Sequence, residues 1–466
     1  MTDNYEAVIG IETHIELKTE SKIFCSCSAS YGGEPNTQVC PICMGYPGAL
    51  PTLNEKAVEY AVMAGIALNC DIASYSKLDR KNYFYPDLPK AYQISQYELP
   101  LCRGGYINIG GRRIGINRIH IEEDAGKLFH DVDGKTLIDF NRCGVPLIEI
   151  VSEPDMRTPE EAGGYVSGIR EIMLFLGISD VRMNEGSLRA DVNVSVHKLG
   201  ESYGTKVEIK NINSIRFIEK AVRYEISRQV SLLESGEVIS PETRRYNEKN
   251  STTELMRSKE NLSDYRYFPE PDLPPIILGS DYIENIRRSI PQLPDKVRKR
   301  YISDYGITED LAYRITVSPG LCVFFDKAAE CLDRKNDVTV LCNLILAAGD
   351  GIENADPKQT AITAKLVSDG TISSASAKKL LCELKTENID ILSAVESRKL
   401  SLIHGDELRK YVADAVEGDK AAVDSVRSGK DKAIKKLIGA VMAASGGRAD
   451  AEEAEKMIRE FIFRQD

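Results

Sequence analysis

Four cysteines carry the sharpest chemical signal: Cys25 and Cys27 in a Cys-Ser-Cys run, then, after twelve residues, Cys40 and Cys43 in Cys-Pro-Ile-Cys. Two such pairs bring four thiolates within reach of one tetrahedral zinc ion and leave no position for water, so the expected centre is structural and closed. The alternative is four reduced thiols in a loop. The chain has eleven cysteines, and no other two are spaced this closely.

A second group is rich in oxygen. Glu12 and His14 fall on one strand-like stretch, Glu122, Glu123 and Asp124 end another, and Glu149 and Glu153 belong to a third. Hard ligands of this kind suit magnesium with bound phosphates, although carboxylates on a half-exposed sheet are often only solvated. Further polar strand faces carry Arg189, Asp191, Asn193, Lys206, Glu208, Lys210 and Asn211. Phosphoryl transfer needs such mixed charge, cations to spread the phosphoryl charge and carboxylates to hold the metal. A lattice of surface ion pairs is the bland alternative. No Walker-type phosphate loop occurs, and Gly104-Gly105 and Gly110-Gly111 read as hairpin turns, so ATP would need a nonstandard cradle. Two aromatic, proline-bearing loops, 81–87 and 264–270, offer rings for stacking a base or for packing a core. Near the end of the chain Arg427, Lys430, Lys432, Lys435 and Lys436 surround Asp431 at the start of an apolar stripe, a reasonable phosphate-backbone contact or a solvated face.

The elements that must position these groups follow from periodicity. Residues 8–17 alternate, with Ile9, Ile11, Thr13, Ile15 and Leu17 on one side and Glu12, His14 and Glu16 on the other. Residues 187–197 and 205–210 alternate in the same way, and 114–124 reads as a further strand. Thr158-Pro159-Glu160-Glu161 combines an N-cap, a first-turn proline and a capping-box glutamate ahead of a helix that ends at Gly177, and Ser214 opens another that stops near Gly236. The fold class implied is α+β with a mostly antiparallel sheet. After about residue 293 the composition turns to Ala, Leu, Lys and Glu at helical spacing, and the proline-rich stretch 267–275 reads as a rigid exit from the first domain.

The whole chain has 466 residues, 60 Lys and Arg against 71 Asp and Glu, and a net charge of −11. That balance argues against nonspecific adhesion to nucleic acid, so any RNA must be met locally. No apolar run of about 18 residues is present, and the first residues lack the pattern of a signal peptide. The expectation is a cytoplasmic protein in which close cysteines bind metal rather than form disulfides. Neither a serine-lysine amidase loop nor a convincing cysteine-histidine nucleophile pair appears.

The strings VIGIETHIELKTESKIF, DRKNYFYPDLPKAYQISQYELP, RIHIEEDAGK, FNRCGVPLIEIVSEPD, NEGSLRADVNVS, KVEIKNINS and DYRYFPEPDLPP resemble the GatB family of tRNA-dependent amidotransferase components, over essentially the whole chain. The resemblance implies a cradle domain at 1–292, a helical domain at 293–405 and a small helical tail similar to YqeY at 406–466. It implies a ligase that phosphorylates, with ATP, the side-chain carboxylate of glutamate on tRNA(Gln) or aspartate on tRNA(Asn). Ammonia from the amidase component, GatA, then displaces phosphate, and a small component, GatC, completes the heterotrimer. The matching magnesium positions are Glu12, His14, Glu123 and Glu149, with Glu122 and Asp124 nearby; Arg189, Asp191, Lys206 and Lys210 are the expected catalytic groups. The tail would meet the tRNA, which gives the cluster of Arg427, Lys430, Lys432, Lys435 and Lys436 a role. A noncatalytic, zinc-stapled tRNA-docking scaffold and a metal-dependent hydrolase are the competing readings.

Overall fold

The alternating stretches meet in the middle of a nine-stranded sheet. Its strands in chain order are β1 (Tyr5–Glu16), β2 (Asp71–Ile72), β3 (Cys102–Ile109), β4 (Arg112–Glu123), β5 (Pro146–Ser152), β6 (Leu188–Lys198), β7 (Val207–Lys210), β8 (Glu242–Asn247) and β9 (Thr252–Ser258). Across the sheet they run β9-β8-β7-β6-β1-β5-β4-β3-β2. Every pairing is antiparallel except that of β7 with β8. This is a computed structural model, and it describes residues 4–258, 265–429 and 431–463. The α+β class with a mostly antiparallel sheet is what the alternation implied.

One face of the sheet is apolar. Ile9, Ile11 and Ile15 of β1, Ile148 and Ile150 of β5, and Val192 and Val194 of β6 are all buried there, each contributing about 1.5–3 kcal/mol by leaving water. Three helices cover the core: α1 (Glu55–Ala67), α2 (Pro159–Leu176) and α3 (Ile215–Glu234). The α2 cap forms as its sequence implied. The Thr158 hydroxyl accepts the Glu161 N–H at 3.1 Å, the Glu161 carboxylate accepts the Thr158 N–H at 3.2 Å, and Gly177 closes the helix in the left-handed region.

One turn expectation fails. Gly110-Gly111 does turn the hairpin between β3 and β4, but Gly104-Gly105 lies inside β3. A Cβ on Gly105 would sit 2.4 Å from the Leu68 carbonyl oxygen and from the Cys70 sulfur, so glycine is there to let β3 approach the end of α1.

A buried ionic network pins α3 to the sheet. The Glu225 side chain is fully buried and accepts hydrogen bonds from Arg228 (2.6 Å), Gln229 (2.8 Å) and the Thr253 hydroxyl (2.8 Å). Removing one partner of such a pair leaves buried charge uncompensated. Glu225→Ala should therefore lose about 3–5 kcal/mol of stability, read as a lower urea midpoint by tyrosine fluorescence; a shift of under about 1 kcal/mol would mean that the neighbouring guanidiniums find other partners.

A small three-stranded sheet joins distant segments beside the open end of β4: Asp79–Asn82 pairs with Tyr92–Ser95 and with Phe268–Pro269. Arg80 forms a two-pronged ion pair with Glu270 (2.6 and 2.8 Å) that holds the 265–270 segment in place.

Leu293 ends the first compact unit and Pro294 begins the second. The described part of the second unit is helical, from Pro294–Arg300 to Ala451–Phe463. Within it, Leu408, Val412, Leu437, Val441, Ile458 and Ile462 form a separate small core among the last helices. Among the described residues no helix is long and apolar enough to cross a membrane.

Candidate active site and metal centre

The other face of the sheet is polar, and its register decides what meets what. Glu12 lies opposite Asp191, His14 opposite both Arg189 and Glu149, Glu149 opposite His120, and Asn193 opposite Glu208. Because side chains alternate faces, these residues project from β4, β5, β1, β6 and β7 on one side.

Two groups of potential ligands stand side by side. His14, Glu122 and Glu149 each place a ligand atom within 4.8 Å of the others, and so do Glu12, Asp191 and Glu208. His14 Nε2 lies 3.5 Å from Glu149 and 3.7 Å from Glu122. His120 Nε2 lies 3.3 and 3.6 Å from the same carboxylates. Burial works against both imidazoliums, but hydrogen bonding and charge from Glu149 and Glu122 prevail: His14 is raised, and His120 is pushed up to about 9. Burial also opposes the two carboxylates, but His120 and Lys81 hold Glu122 below its ordinary range, and His120 and His14 hold Glu149 well below it. Glu12 moves the other way, raised by burial and by the charges of Glu149, Asp191 and Glu208. A divalent cation would relieve that repulsion.

The expected catalytic cations and acids are placed around these groups. Lys210 Nζ reaches Asp191 at 2.6 Å and Glu208 at 3.1 Å. Arg189 pairs with Asp124 at 2.6 Å, and Arg142 lies 3.7 Å from the same carboxylate. Lys206 lines a cavity of 310 Å³ with Gly10, Glu12, Val151, Asn193 and Tyr203. Glu16, at the far end of the polar row, is raised to about 8 by burial and the nearby Asp124.

Glu123 does not join the ligand group. It follows Glu122 on β4 and so points to the opposite face, where both its oxygens meet Lys90 Nζ (2.5 and 2.6 Å) and one accepts the Ile94 N–H (2.9 Å). Asp124 is engaged by arginines at the end of the strand. Of the six residues expected on magnesium, the structure thus brings Glu12, His14, Glu122 and Glu149 to one face and sets Glu123 and Asp124 in ion pairs of their own.

Sequence reasoning missed His120, although it stands two residues before Glu122 and so shares its face. It also missed Lys81. Lys81 lies opposite Gln93, and Asp79 opposite Ser95, whose hydroxyl bonds Glu122 at 3.2 Å. The Lys81 ammonium stands 5.0 Å from the Tyr265 ring and 5.8 Å from that of Tyr83, and burial notwithstanding it is raised by the charges of Glu122 and Glu149. The two aromatic loops therefore meet beside the carboxylates, with Tyr83 and Tyr265 edge to face and Tyr97 stacked on Tyr267.

The four cysteines converge as a group, each offering its sulfur within 4.8 Å of the others. Cys40 and Cys43 sulfurs are 3.9 Å apart, close to the roughly 3.8 Å edge of a tetrahedron with zinc–sulfur bonds of about 2.3 Å. Hydrogen bonding to Cys25 and Cys40 and the charge of Lys22 pull Cys43 down to about 4, while sharing a proton with Cys43 pushes Cys25 up and burial lifts Cys27 to about 11. The donor set fits zinc. A cleft of 1270 Å³ separates this loop from the end of β1, lined by Glu16, Lys18, Ser28, Tyr31 and Arg182.

In the tail, Lys432, Lys435 and Lys436 are exposed, Lys436 pairing with Asp419 at 2.6 Å, and Arg427 bonds the Ile462 carbonyl at 3.3 Å. Lys430 lies outside the described residues.

A mostly antiparallel sheet with a carboxylate-imidazole face, a four-cysteine loop and a following helical unit is the architecture of a catalytic domain with a helical appendage. Residues 7–284 match the GatB/GatE catalytic domain, and residues 334–462 match the GatB domain. The chain belongs to the GatB family. A protein of Thermoanaerobacter pseudethanolicus, named as the B subunit of aspartyl/glutamyl-tRNA(Asn/Gln) amidotransferase, is 50% identical, over 99% of this chain and 100% of that protein. Proteins of the same name from Carboxydothermus hydrogenoformans and Geobacillus kaustophilus are 47% and 46% identical, each over 99% of this chain and at least 99% of the relative.

Proposed function

We propose that this chain is the transamidating component of a tRNA-dependent amidotransferase, a ligase that converts glutamyl-tRNA(Gln), aspartyl-tRNA(Asn) or both to the amide. The observation that carries the reading is the pair of ligand groups, His14/Glu122/Glu149 and Glu12/Asp191/Glu208, side by side among Arg189, Lys210 and Lys81. The names of the full-length relatives point the same way.

A carboxylate is a poor electrophile. In the proposed sequence an oxygen of the substrate's side-chain carboxylate attacks the γ-phosphorus of ATP and ADP leaves. Ammonia then adds to the acyl carbon and loses a proton, and phosphate departs. The two carboxylate-bearing groups would hold magnesium, which when bound offsets the charge on the phosphate oxygens. Lys81, Lys206, Lys210 and Arg189 would orient those oxygens and hold developing charge, so that positioning supplies the rate. Cys25, Cys27, Cys40 and Cys43 would hold a structural zinc ion. Ammonia would come from GatA, with GatC as the third component, in the cytoplasm. The division into a cradle at 1–292, a helical domain at 293–405 and a tail at 406–466 belongs to the same proposal, with Arg427, Lys432, Lys435 and Lys436 meeting tRNA.

The test supplies the chain, co-expressed with its partner proteins, with glutamyl-tRNA(Gln), magnesium, ATP and ammonium chloride, which bypasses the glutaminase. Glutamine should form only with ATP, one ADP appearing per amide. Absence of amide with free ammonium would favour a docking scaffold, and ATP turnover without tRNA would favour a hydrolase.

A further inference from the structure

Lys22 is among the largest side chains wholly inside the protein, only 1% exposed. Its ammonium donates to the Gln38 carbonyl at 2.7 Å, to the Phe140 carbonyl at 3.5 Å and to the Cys43 sulfur at 3.7 Å. Among the described residues no carboxylate forms an ion pair with it; Glu123, an acid in the same part of the fold, is spent on Lys90. A charged amine buried with only carbonyls for company would cost several kcal/mol. The cluster beside it can supply the missing charge, because four thiolates on one divalent zinc ion leave an excess of two negative charges.

The same sulfur also accepts the Cys40 N–H at 3.2 Å, so Cys43 is the thiolate best furnished with donors. The carbonyls that Lys22 binds lie on two segments. Gln38 belongs to the cysteine loop, and Phe140 begins the 140–145 loop that leads into β5. Three further bonds join those segments to each other and to the active face: Ile23 N–H to Gly144 O at 2.9 Å, the Cys143 thiol to Cys43 O at 3.5 Å, and Gly144 N–H to Asp124 O at 2.9 Å. The 140–145 loop carries Arg142, which faces Asp124 beside Arg189.

We propose that Lys22 is the counter-cation of the four-cysteine centre, offsetting one of its two excess negative charges, and the strut by which metal loading holds the loop that carries Arg142. This rests on the zinc reading above. The ammonium draws charge from the Cys43 sulfur, which makes the bound thiolates poorer nucleophiles and keeps the metal in place. Without metal, the excess of two negative charges falls to what the thiols themselves ionise, so Lys22 holds the loop less firmly and its ammonium gains access to water.

The experiment uses the full chain with Lys22→Gln, which keeps N–H donors for the two carbonyls but removes the charge, Lys22→Met, which removes both, and Lys22→Arg, which keeps the charge. Zinc per chain, zinc affinity by chelator competition and the rate of zinc release under N-ethylmaleimide are measured, with circular dichroism to establish folding. Wild type should hold one zinc ion. Lys22→Gln should stay folded yet bind zinc about 10–100-fold more weakly, the usual penalty for losing an outer-shell partner, and release it correspondingly faster; Lys22→Arg should recover most of the difference. Wild-type affinity and release rate in folded Lys22→Gln would overturn the role of Lys22 and leave the zinc centre standing. A wild-type chain that takes up no zinc would overturn the zinc reading itself. Should Lys22→Met fail to fold, the Gln and Arg pair still decides the matter.

Discussion

Glu149→Gln is expected to lower kcat/KM for ammonium-driven amide formation by at least about 100-fold, roughly 2.7 kcal/mol of transition-state stabilisation, while zinc content stays near wild type. Glu149 stands at the middle of the polar face, buried, with His14 and His120 nitrogens 3.5 and 3.3 Å from one oxygen. Glutamine keeps the shape and removes the charge. The remaining carboxylate of the group, Glu122, would then hold a divalent cation with one imidazole only, so the magnesium concentration needed for half-maximal rate should rise together with the loss in rate. Activity within about threefold of wild type at saturating magnesium would remove Glu149 from the site. The informative control is its near-namesake: Glu123→Gln leaves Lys90 buried beside a neutral amide, so its expected penalty is about 3–5 kcal/mol of stability, with the magnesium requirement unmoved.

That contrast marks where sequence reading stopped. Glu122 and Glu123 are neighbours of one type, and a cluster of acids at a strand end reads as one group. Period-two alternation allows only one of them on the face that holds Glu149; Ile119 and Ile121 mark the other face as apolar and so assign Glu122 to the polar one, while its meeting with Glu149 needs the register of β4 against β5, which is a tertiary fact. His120 was within reach of the same logic, since residues 120 and 122 share a face, but the run of acids drew the reading past it. Lys81 was not within reach. Its place depends on a small sheet that joins residues 79–82 to 268–269, and on the Arg80–Glu270 ion pair that holds those distant segments together. Local chemistry was more legible. The Thr158 cap, the alternation of β1 and β6 and the pairing of cysteines each depend on neighbours a few residues away, and each took the form that its spacing implied. Gly104-Gly105 misled because glycine has two uses, to turn a chain and to let a chain come close, and only the position of α1 tells them apart.

The cysteine loop poses the opposite problem, an ordered segment with almost no apolar core to order it. None of residues 28–42 is buried; the segment is held by a single bridge of Ser21 with Ser28 and by hydrogen bonds to residues 138–141, such as Gln38 N–H to Asn141 Oδ1 at 2.8 Å and Asn141 Nδ2–H to the Glu34 carbonyl at 2.7 Å. A segment of this kind buries too little apolar surface to offset its conformational entropy, so four metal–sulfur bonds must do what a core does elsewhere. Structural zinc in comparable small sites contributes on the order of 10 kcal/mol of metal-coupled folding. Cys40→Ser should therefore reduce zinc from one per chain to under about a tenth, and make the loop cleavable near Gly32-Gly33 at protease concentrations that leave wild type intact. Ammonium-driven activity should fall less than in Glu149→Gln, because the loop meets the active face at second hand, through segments such as 140–145, whereas Glu149 is part of it. A Cys40→Ser chain that keeps the loop protease-resistant without zinc would mean that Lys22, the Cys143 thiol and the hydrogen bonds to residues 138–141 suffice to hold the segment, and the metal would then be dispensable to the fold.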